Sequence, residues 1–187
     1  IPVFLLPIFS FNDSFHMVFP LTGFTFDWYI EMWNKARLHQ ALWNSIKVGV
    51  IASIISTFIA LFAAKAFTRY RVKYSGLSYG AILLPFIIPE IIIAVAFIVI
   101  WTSMGLKLGL VPITISHILY CTPFCLLILI SRMDGFDKSL EEASMDLGEN
   151  IFGTFWRVTF PLLLPGIIAS LLLSFVISFD EFILAFF

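Results

Sequence analysis

Three carboxylates lie within or directly beside long apolar stretches of this 187-residue chain. Glu90 interrupts an otherwise uncharged run from 74 to 106, and Asp180 and Glu181 follow the apolar run 158–179. Acidic side chains are costly in apolar surroundings, where they usually face a water-filled cavity or a partner. A carboxylate held in such a place can bind a cation such as an ammonium group. We therefore take these three residues as candidates for a cation pathway.

The residues around each acid bear on this interpretation. Pro85 and Pro89 lack a backbone N–H, so they predict a kink that frees carbonyl groups beside Glu90. A second pattern predicts an interior row of small polar residues, spaced four apart and leading towards Glu181: Gly166, Ser170, Ser174 and Ser178. Two structural alternatives remain open: Glu90 bound to a neighbouring helix or protonated in place, and an acidic helix end that touches water.

The composition indicates an integral membrane protein. Hydrophobic residues make up 60% of the chain and charged residues 12%, whereas a water-soluble domain of this size needs more polar surface. The 11 basic and 12 acidic residues are nearly balanced. No basic stripe is present, so we expect no nucleic-acid partner.

Four apolar runs are long enough to cross a bilayer, for which a helix needs roughly 20 residues. They predict an all-α, polytopic helical bundle, with runs at 48–64, 74–106, 108–131 and 158–179. The apolar opening at 1–9 predicts the last turns of one more helix. We expect a single transmembrane domain over 1–187 that is a fragment, truncated at both ends.

The distribution of lysine and arginine predicts the orientation. Residues 65–73 carry four basic side chains and no acid, whereas 102–112 carry only Lys107. Because basic loops stay on the cytoplasmic side, the first segment is predicted to be cytoplasmic. Alternation then places 10–44 and 102–112 outside and 132–160 inside.

The predicted cytoplasmic segment 132–160 has the pattern of a helix–glycine–helix elbow. One helical face is predicted to be apolar, and acids are left for water or for a partner's cations. Gly148 ends this helix, and an aromatic second piece leads to Pro161. The apolar face comprises Leu140, Ala143, Leu147 and Ile151, and the acids are Glu141, Glu142, Asp146 and Glu149. The alternative is an amphipathic connector lying at the lipid interface.

The same segment carries a recognisable spacing. It resembles the EAA signature (E-A-A-x3-G-x9-I-x-L-P) of permease subunits of bacterial ABC importers, through Glu142, Ala143, Ser144, Gly148, Val158, Phe160 and Pro161. Ser, Val and Phe replace the signature's second Ala, Ile and Leu. The resemblance implies a coupling helix that docks on a cytoplasmic ATPase through Glu141, Glu142, Ala143, Ser144, Asp146, Leu147 and Gly148.

Other segments extend the resemblance along most of the chain, and it is greatest to the spermidine/putrescine branch. They include "GFTFDWY" (23–29), "SHILYCTPF" (116–124) and "SFDEF" (178–182). The resemblance implies the type I importer permease fold, with five of about six spans present and the first one partial. It implies a bacterial inner-membrane location, a second permease, cytoplasmic ATPase subunits, an external solute-binding protein and a polyamine cargo. Another small solute is the alternative cargo.

The chain is not expected to catalyse a reaction. It lacks a G-x4-G-K-[ST] phosphate loop and a G-x-S-x-G serine elbow, so ATP and Mg²⁺ are expected on the partner ATPase, with no cofactor here. His117, Cys121 and Cys125 share a helical face, but three ligands on one helix rarely complete a metal site, and none is expected. An ATPase-independent channel or secondary carrier and a structural membrane anchor are the alternatives in other classes.

Overall fold

The structure, a computed structural model, describes residues 2–16, 19–70 and 75–186. Within these ranges there is no β-strand, which confirms the all-α prediction, and one isolated β-bridge joins Asn12 to Phe24. The helices, in chain order, are α1 (Pro2–Ser10), α2 (Asp27–Asn34), α3 (Ala36–Arg69), α4 (Ser75–Ile87), α5 (Glu90–Ser103), α6 (Leu110–Asp134), α7 (Ser139–Asp146), α8 (Ile151–Thr154), α9 (Phe160–Asp180) and α10 (Ile183–Phe186), with a π-helical segment (Phe155–Thr159) between α8 and α9.

The chain divides into two units, 1–44 and 45–187. In the first unit the apolar opening forms α1, as predicted. Buried Asn12 organises the connection after it: its Oδ1 accepts from the Thr22 N–H at 3.0 Å, and its carbonyl accepts from Trp28 Nε1 at 2.9 Å. The second unit contains the candidate functional residues.

Among the described residues, three helices are long and apolar enough to cross a membrane, or up to four if a bent pair counts as one span. Two are α3 and α6, and the third is the continuous helix Ile151–Asp180. The predicted run 74–106 is the bent pair, in which Gly80–Ile87 and Glu90–Ser103 meet at 110°. The break falls at the predicted position, because Pro89 caps α5 with an extended ψ of 135°.

Two helices extend beyond the uncharged runs that predicted them. α3 continues through Lys65 to Arg69, so these two residues lie on a helix where a loop was expected. Arg71 and Lys73 of the same basic segment lie outside the described residues. Charges mark where a helix leaves the hydrocarbon and not where it ends, because long basic side chains can reach the interface from a helical backbone.

The last span begins at Ile151, ten residues before Pro161, and passes through the π-helical segment. Pro161 has no backbone N–H, and in a regular helix its ring would clash with the carbonyl four residues earlier. A π-helical turn widens the backbone, and here it directly precedes α9, whose first turn holds Pro161. The helix therefore continues without a break from segment 132–160 into the apolar span.

The predicted interior row is buried where α9 packs against α6. Ser178 Oγ and His117 Nδ1 are hydrogen-bonded at 2.8 Å, and Cys121 Sγ donates to the Ser174 carbonyl at 3.7 Å. One turn further, Cys125 donates to the Ser170 carbonyl at the same distance. The His–Cys–Cys face of α6 thus packs against the serine row of α9. Below it, Leu126, Leu129, Met133 and Leu163 form the apolar core.

Gly166 should be intolerant of even one added carbon. A Cβ there would lie 2.9 Å from Arg132 Cγ and 3.1 Å from its Cβ, atoms close to the α6 backbone. We expect Gly166→Ala to destabilise the chain by about 1–3 kcal/mol, measured as thermal unfolding in detergent. The matched control is Gly80→Ala in α4, where a Cβ meets no atom within 4 Å and alanine should be neutral or stabilising. Equal stability of the two variants would contradict this packing.

Candidate functional site

The elbow of segment 132–160 is formed by α7, a glycine turn and α8. Gly148 has φ +94°, a left-handed conformation that L side chains rarely adopt, so it ends the helix as predicted. Asn150 then caps the next helix, since its Oδ1 accepts from the Gly153 N–H at 2.8 Å. The two helices are therefore joined by a defined corner.

The entry to α7 is also held by a side chain. Asp137 Oδ1 accepts a hydrogen bond from the Ser139 N–H at 3.0 Å. This backbone hydrogen bond holds the pKa of Asp137 below its usual value, because it favours the charged carboxylate. The negative charge lies at the start of α7, where the helix dipole favours it.

The apolar side chains of the elbow point away from the chain. The exposed fraction is 88% for Leu147, 72% for Phe152 and 64% for Ile151. Trp156 is half-exposed beside them. This patch, which we call the elbow surface (Leu147, Ile151, Phe152 and Trp156), is not covered by any of the residues that the structure describes. Exposed apolar patches of this kind mark contacts with a protein or with a membrane.

Glu141 does not lie where the sequence pattern placed it. It was predicted to face water or a partner's cations, and this is wrong: Glu141 is buried, its Oε2 lies 2.6 Å from Arg69 Nε, and its Oε1 accepts from Thr159 Oγ1 at 2.5 Å. Helical periodicity shows which residues share a face, but not that a cation from α3 lies beneath one of them.

The other predicted coupling residues lie at or near the surface. Glu142 and Asp146 are exposed, as expected, and Ala143 of the predicted apolar face is exposed as well. Ser144 is half-buried, and its hydroxyl is hydrogen-bonded to that of Thr154 at 3.1 Å, which ties α7 to α8. Glu149 is not free for a partner, because it forms an ion pair with Arg157.

The three candidate cation-binding acids converge on one open cavity of about 490 Å³. Glu90 reaches it from the first turn of α5, and Asp180 and Glu181 from the end of α9. Tyr120 of α6 donates its hydroxyl to Glu90 Oε1 at 2.6 Å. Glu181 Oε1 accepts from the Leu184 N–H at 2.9 Å, which orients that carboxylate at the start of α10. The described lining residues include three carboxylates and no basic side chain.

Two aspects of this cavity differ from what the sequence indicated. Glu90 and the Asp180–Glu181 pair had been treated as separate sites, because they are 90 residues apart and no pattern joins them. Tyr120 was not singled out at all. Its weak signal is a phenol within an apolar run, since a buried tyrosine hydroxyl usually has a hydrogen-bond partner.

The fold and these two sites define a class: an all-α, multi-pass membrane protein with an acidic cavity and an elbow whose apolar side chains are exposed. A family model for the inner membrane component of binding-protein-dependent transport systems matches residues 56–187. The chain belongs to this family, whose members are permease subunits of ABC transporters and are not themselves catalytic. Such permeases work in general with ATPase, sister permease and solute-binding subunits. The predicted location, multi-pass in the bacterial inner membrane, is confirmed.

Named relatives support the predicted branch of the family. The chain is 32% identical over 185 residues to the spermidine/putrescine transport system permease protein PotC of Escherichia coli (strain K12), covering 99% of this chain and 70% of PotC. It is 30% identical over 186 residues to PotC of Haemophilus influenzae, covering 99% and 72%. It is 28% identical over 192 residues to the putrescine transport system permease protein PotI of Escherichia coli (strain K12), covering 98% and 68%.

The left-handed conformation of Gly148 predicts that a side chain there strains the backbone without clashing with any neighbouring residue. A Cβ at this position would meet no atom within 4 Å, so strain alone opposes a side chain. Gly148→Val should cost about 1–2 kcal/mol and raise the rate of trypsin cleavage after exposed Lys138 about 5- to 30-fold. Gly148→Asn is the matched control, since asparagine enters this region more readily, and its increase should be smaller. Equal rates in the two variants would contradict the strain argument.

Proposed function

We propose that this chain is a permease subunit of an ATP-driven importer of polyamines and forms half of the translocation path. The observation that carries the proposal is the convergence of Glu90, Asp180 and Glu181 on one cavity. The printed names of the relatives, spermidine/putrescine and putrescine permeases, support the same cargo. On this proposal residues 1–187 belong to one transmembrane permease domain.

The cavity has the chemistry that a protonated amine requires. Polyamines are flexible chains of ammonium groups and methylene groups, and carboxylates form strong charge-assisted hydrogen bonds with ammonium. Asp180 and Glu181 lie at the carboxyl end of α9, where the partial negative charge of the helix dipole adds to theirs. Phe124 and Phe182 line the same cavity and offer contact to methylene groups and cation–π faces to ammonium.

The elbow is proposed to transmit force from a cytoplasmic ATPase, which binds ATP and Mg²⁺. The elbow surface supports this, because its side chains are exposed while Glu141 of the same segment is bound to Arg69 and Thr159. The helix that begins at Ile151 continues to Asp180, so a displacement of the elbow reaches the acidic end of the cavity through one continuous helix. An elbow lying on lipid headgroups is the competing explanation, and Phe152 and Trp156 are compatible with it.

Leu147→Asp tests the docking of the ATPase. Leu147 is almost fully exposed, so a charge there leaves the chain's own packing intact but places an unpaired carboxylate in the proposed interface. We expect the ATPase to bind the purified permease at least about tenfold more weakly. Met104→Asp, at an exposed apolar site on the predicted outer side, is the control and should bind normally. Normal ATPase binding by Leu147→Asp would favour the lipid explanation.

Neutralising the cavity tests the cargo. We expect Glu90→Gln and Asp180→Asn each to reduce uptake of labelled spermidine or putrescine by about tenfold at subsaturating concentration, the loss of one charge-assisted hydrogen bond. The assembled complex should keep its ATPase binding. Glu31→Gln, which removes one partner of an exposed ion pair with Lys35, is the control and should leave uptake unchanged.

Other outcomes of the same assay separate the alternatives. Unchanged polyamine uptake in Glu90→Gln and Asp180→Asn would remove the cation role of the cavity. Uptake of a neutral solute in place of polyamines by the unmodified complex would keep the permease and change the cargo. Polyamine uptake without any ATPase would support a secondary carrier.

A further inference from the structure

A buried ionic network joins α7 to the ends of two spans. Arg69, the last residue of α3, contacts Glu141 of α7, and the same carboxylate accepts from Thr159 at the end of the π-helical segment. The side chains of Arg69 and Glu141 are only 10% and 11% exposed, and Thr159 is fully buried. Three elements that are distant in sequence are therefore held by one carboxylate.

The guanidinium group of Arg69 has further contacts with the end of a third span. Its Nη2 donates to the Met133 carbonyl in the last turn of α6 at 3.4 Å, and its carbon lies 4.7 Å from the centre of the Phe136 ring. A planar guanidinium carries five donors in a rigid fork and can also stack on an aromatic ring, so it makes these contacts together in a fixed geometry. Arg69 thus fixes the carboxylate of Glu141 with respect to both α3 and α6.

Stability alone is a weak reason for this arrangement. A buried ion pair loses hydration, and replacing it with well-packed apolar residues is often neutral or stabilising. The ion pair instead fixes the orientation of α7, because the two oxygens of its carboxylate accept from two specific donors with defined geometry. The other α7 acids contrast with Glu141, since Glu142 and Asp146 are exposed. Glu141 is therefore the acid of α7 that is bound inward, to the spans.

The π-helical segment is part of the same arrangement. It shifts the register of the backbone just before Pro161, and its last residue is Thr159. π-helical turns inside long helices are frequently found at functional sites. Here the widened turn presents the Thr159 hydroxyl to Glu141, and the helix then continues to Asp180 at the cavity.

We propose that Arg69, Glu141 and Thr159 are positioning residues that set the angle of α7 against α3 and α9, so that movement of the elbow is passed to the spans. This inference rests on the proposed coupling of the elbow to an ATPase. It assigns a role to Arg69 and Thr159, neither of which was among the predicted coupling residues, and it changes the role of Glu141 from an outward contact to an inward one.

The test compares ATP hydrolysis with uptake in the complete complex, reconstituted in liposomes. Glu141→Gln removes the charge, and Thr159→Val removes one donor at nearly constant volume. We expect both variants to bind the ATPase and hydrolyse ATP. Solute taken up per ATP should fall about tenfold for Glu141→Gln, within the usual range of coupling between sites, and about threefold for Thr159→Val, which loses a single hydrogen bond. Asp134→Asn, an exposed cytoplasmic acid at the end of α6, is the control and should keep the normal ratio.

An exchange of the two charges tests whether the pair acts as a unit. We expect Arg69→Glu and Glu141→Arg to uncouple transport separately, and the double variant to recover at least part of the uptake per ATP. A spin-label distance between exposed positions on α3 and α7, introduced as Phe62→Cys and Asp146→Cys, should also have a broader distribution in Thr159→Val than in the unmodified background.

The outcomes distinguish this inference from the function it rests on. If the unmodified permease binds no ATPase, the coupling proposal itself is wrong. If it binds and couples, yet Thr159→Val and Glu141→Gln retain the normal uptake per ATP, the positioning role is overturned. A parallel loss of uptake and hydrolysis in Thr159→Val, or a double exchange no better than the single changes, would also overturn it by showing a merely structural role. If Glu141→Gln fails to assemble, Thr159→Val decides.

Discussion

Lipid offers no hydrogen bonds, so a backbone that crosses it must satisfy its own polar groups, and a polar side chain must find its partner on its own helix or on a neighbouring one. This constraint explains the contact between α6 and α9. Polar groups of the two helices are hydrogen-bonded to each other across this contact. Ser178 of α9 is hydrogen-bonded to His117 of α6, and the Cys121 and Cys125 thiols of α6 donate to serine carbonyls of α9. Small residues let the backbones approach, as at Gly166. The packing of α6 against α9 is in turn what brings Tyr120 near Asp180 and Glu181.

The same constraint explains why the break between α4 and α5 lies beside an acid. Ending a helix inside a membrane protein leaves backbone groups without partners, which is tolerated where they line a cavity. The 110° bend places Glu90 in the first turn of α5, at the positive end of its dipole, and against the Tyr120 hydroxyl. The bend, the carboxylate and the cavity therefore support one another, and a straight span would separate them.

Sequence reasoning was most successful where a local feature of the sequence has one physical meaning. Apolar runs predicted the spans, Pro89 predicted the break, and Gly148 predicted the corner, because each depends on local chemistry; Pro85, expected to kink the helix as well, lies inside α4. It was least successful where two distant segments meet. Nothing in the α3 sequence indicates that Arg69 lies under Glu141, and nothing joins Glu90 to Asp180 until α6 and α9 are packed. The run 158–179 also missed residues 151–157, by which the helix extends into the elbow.

The arrangement of polar and apolar groups in the elbow is the reverse of that of an ordinary surface connector. A connector at the edge of a folded chain buries its apolar side chains and exposes its acids, whereas here Leu147 and Phe152 are exposed and Glu141 is buried. Burying a carboxylate is costly unless it is paired, so the inward side of α7 is held by specific partners and not by general hydrophobic contact. On the proposed coupling role, a partner bound to the exposed apolar side chains would act on α9 through the continuous helix Ile151–Asp180, while the Glu141 contacts hold α7 against the spans.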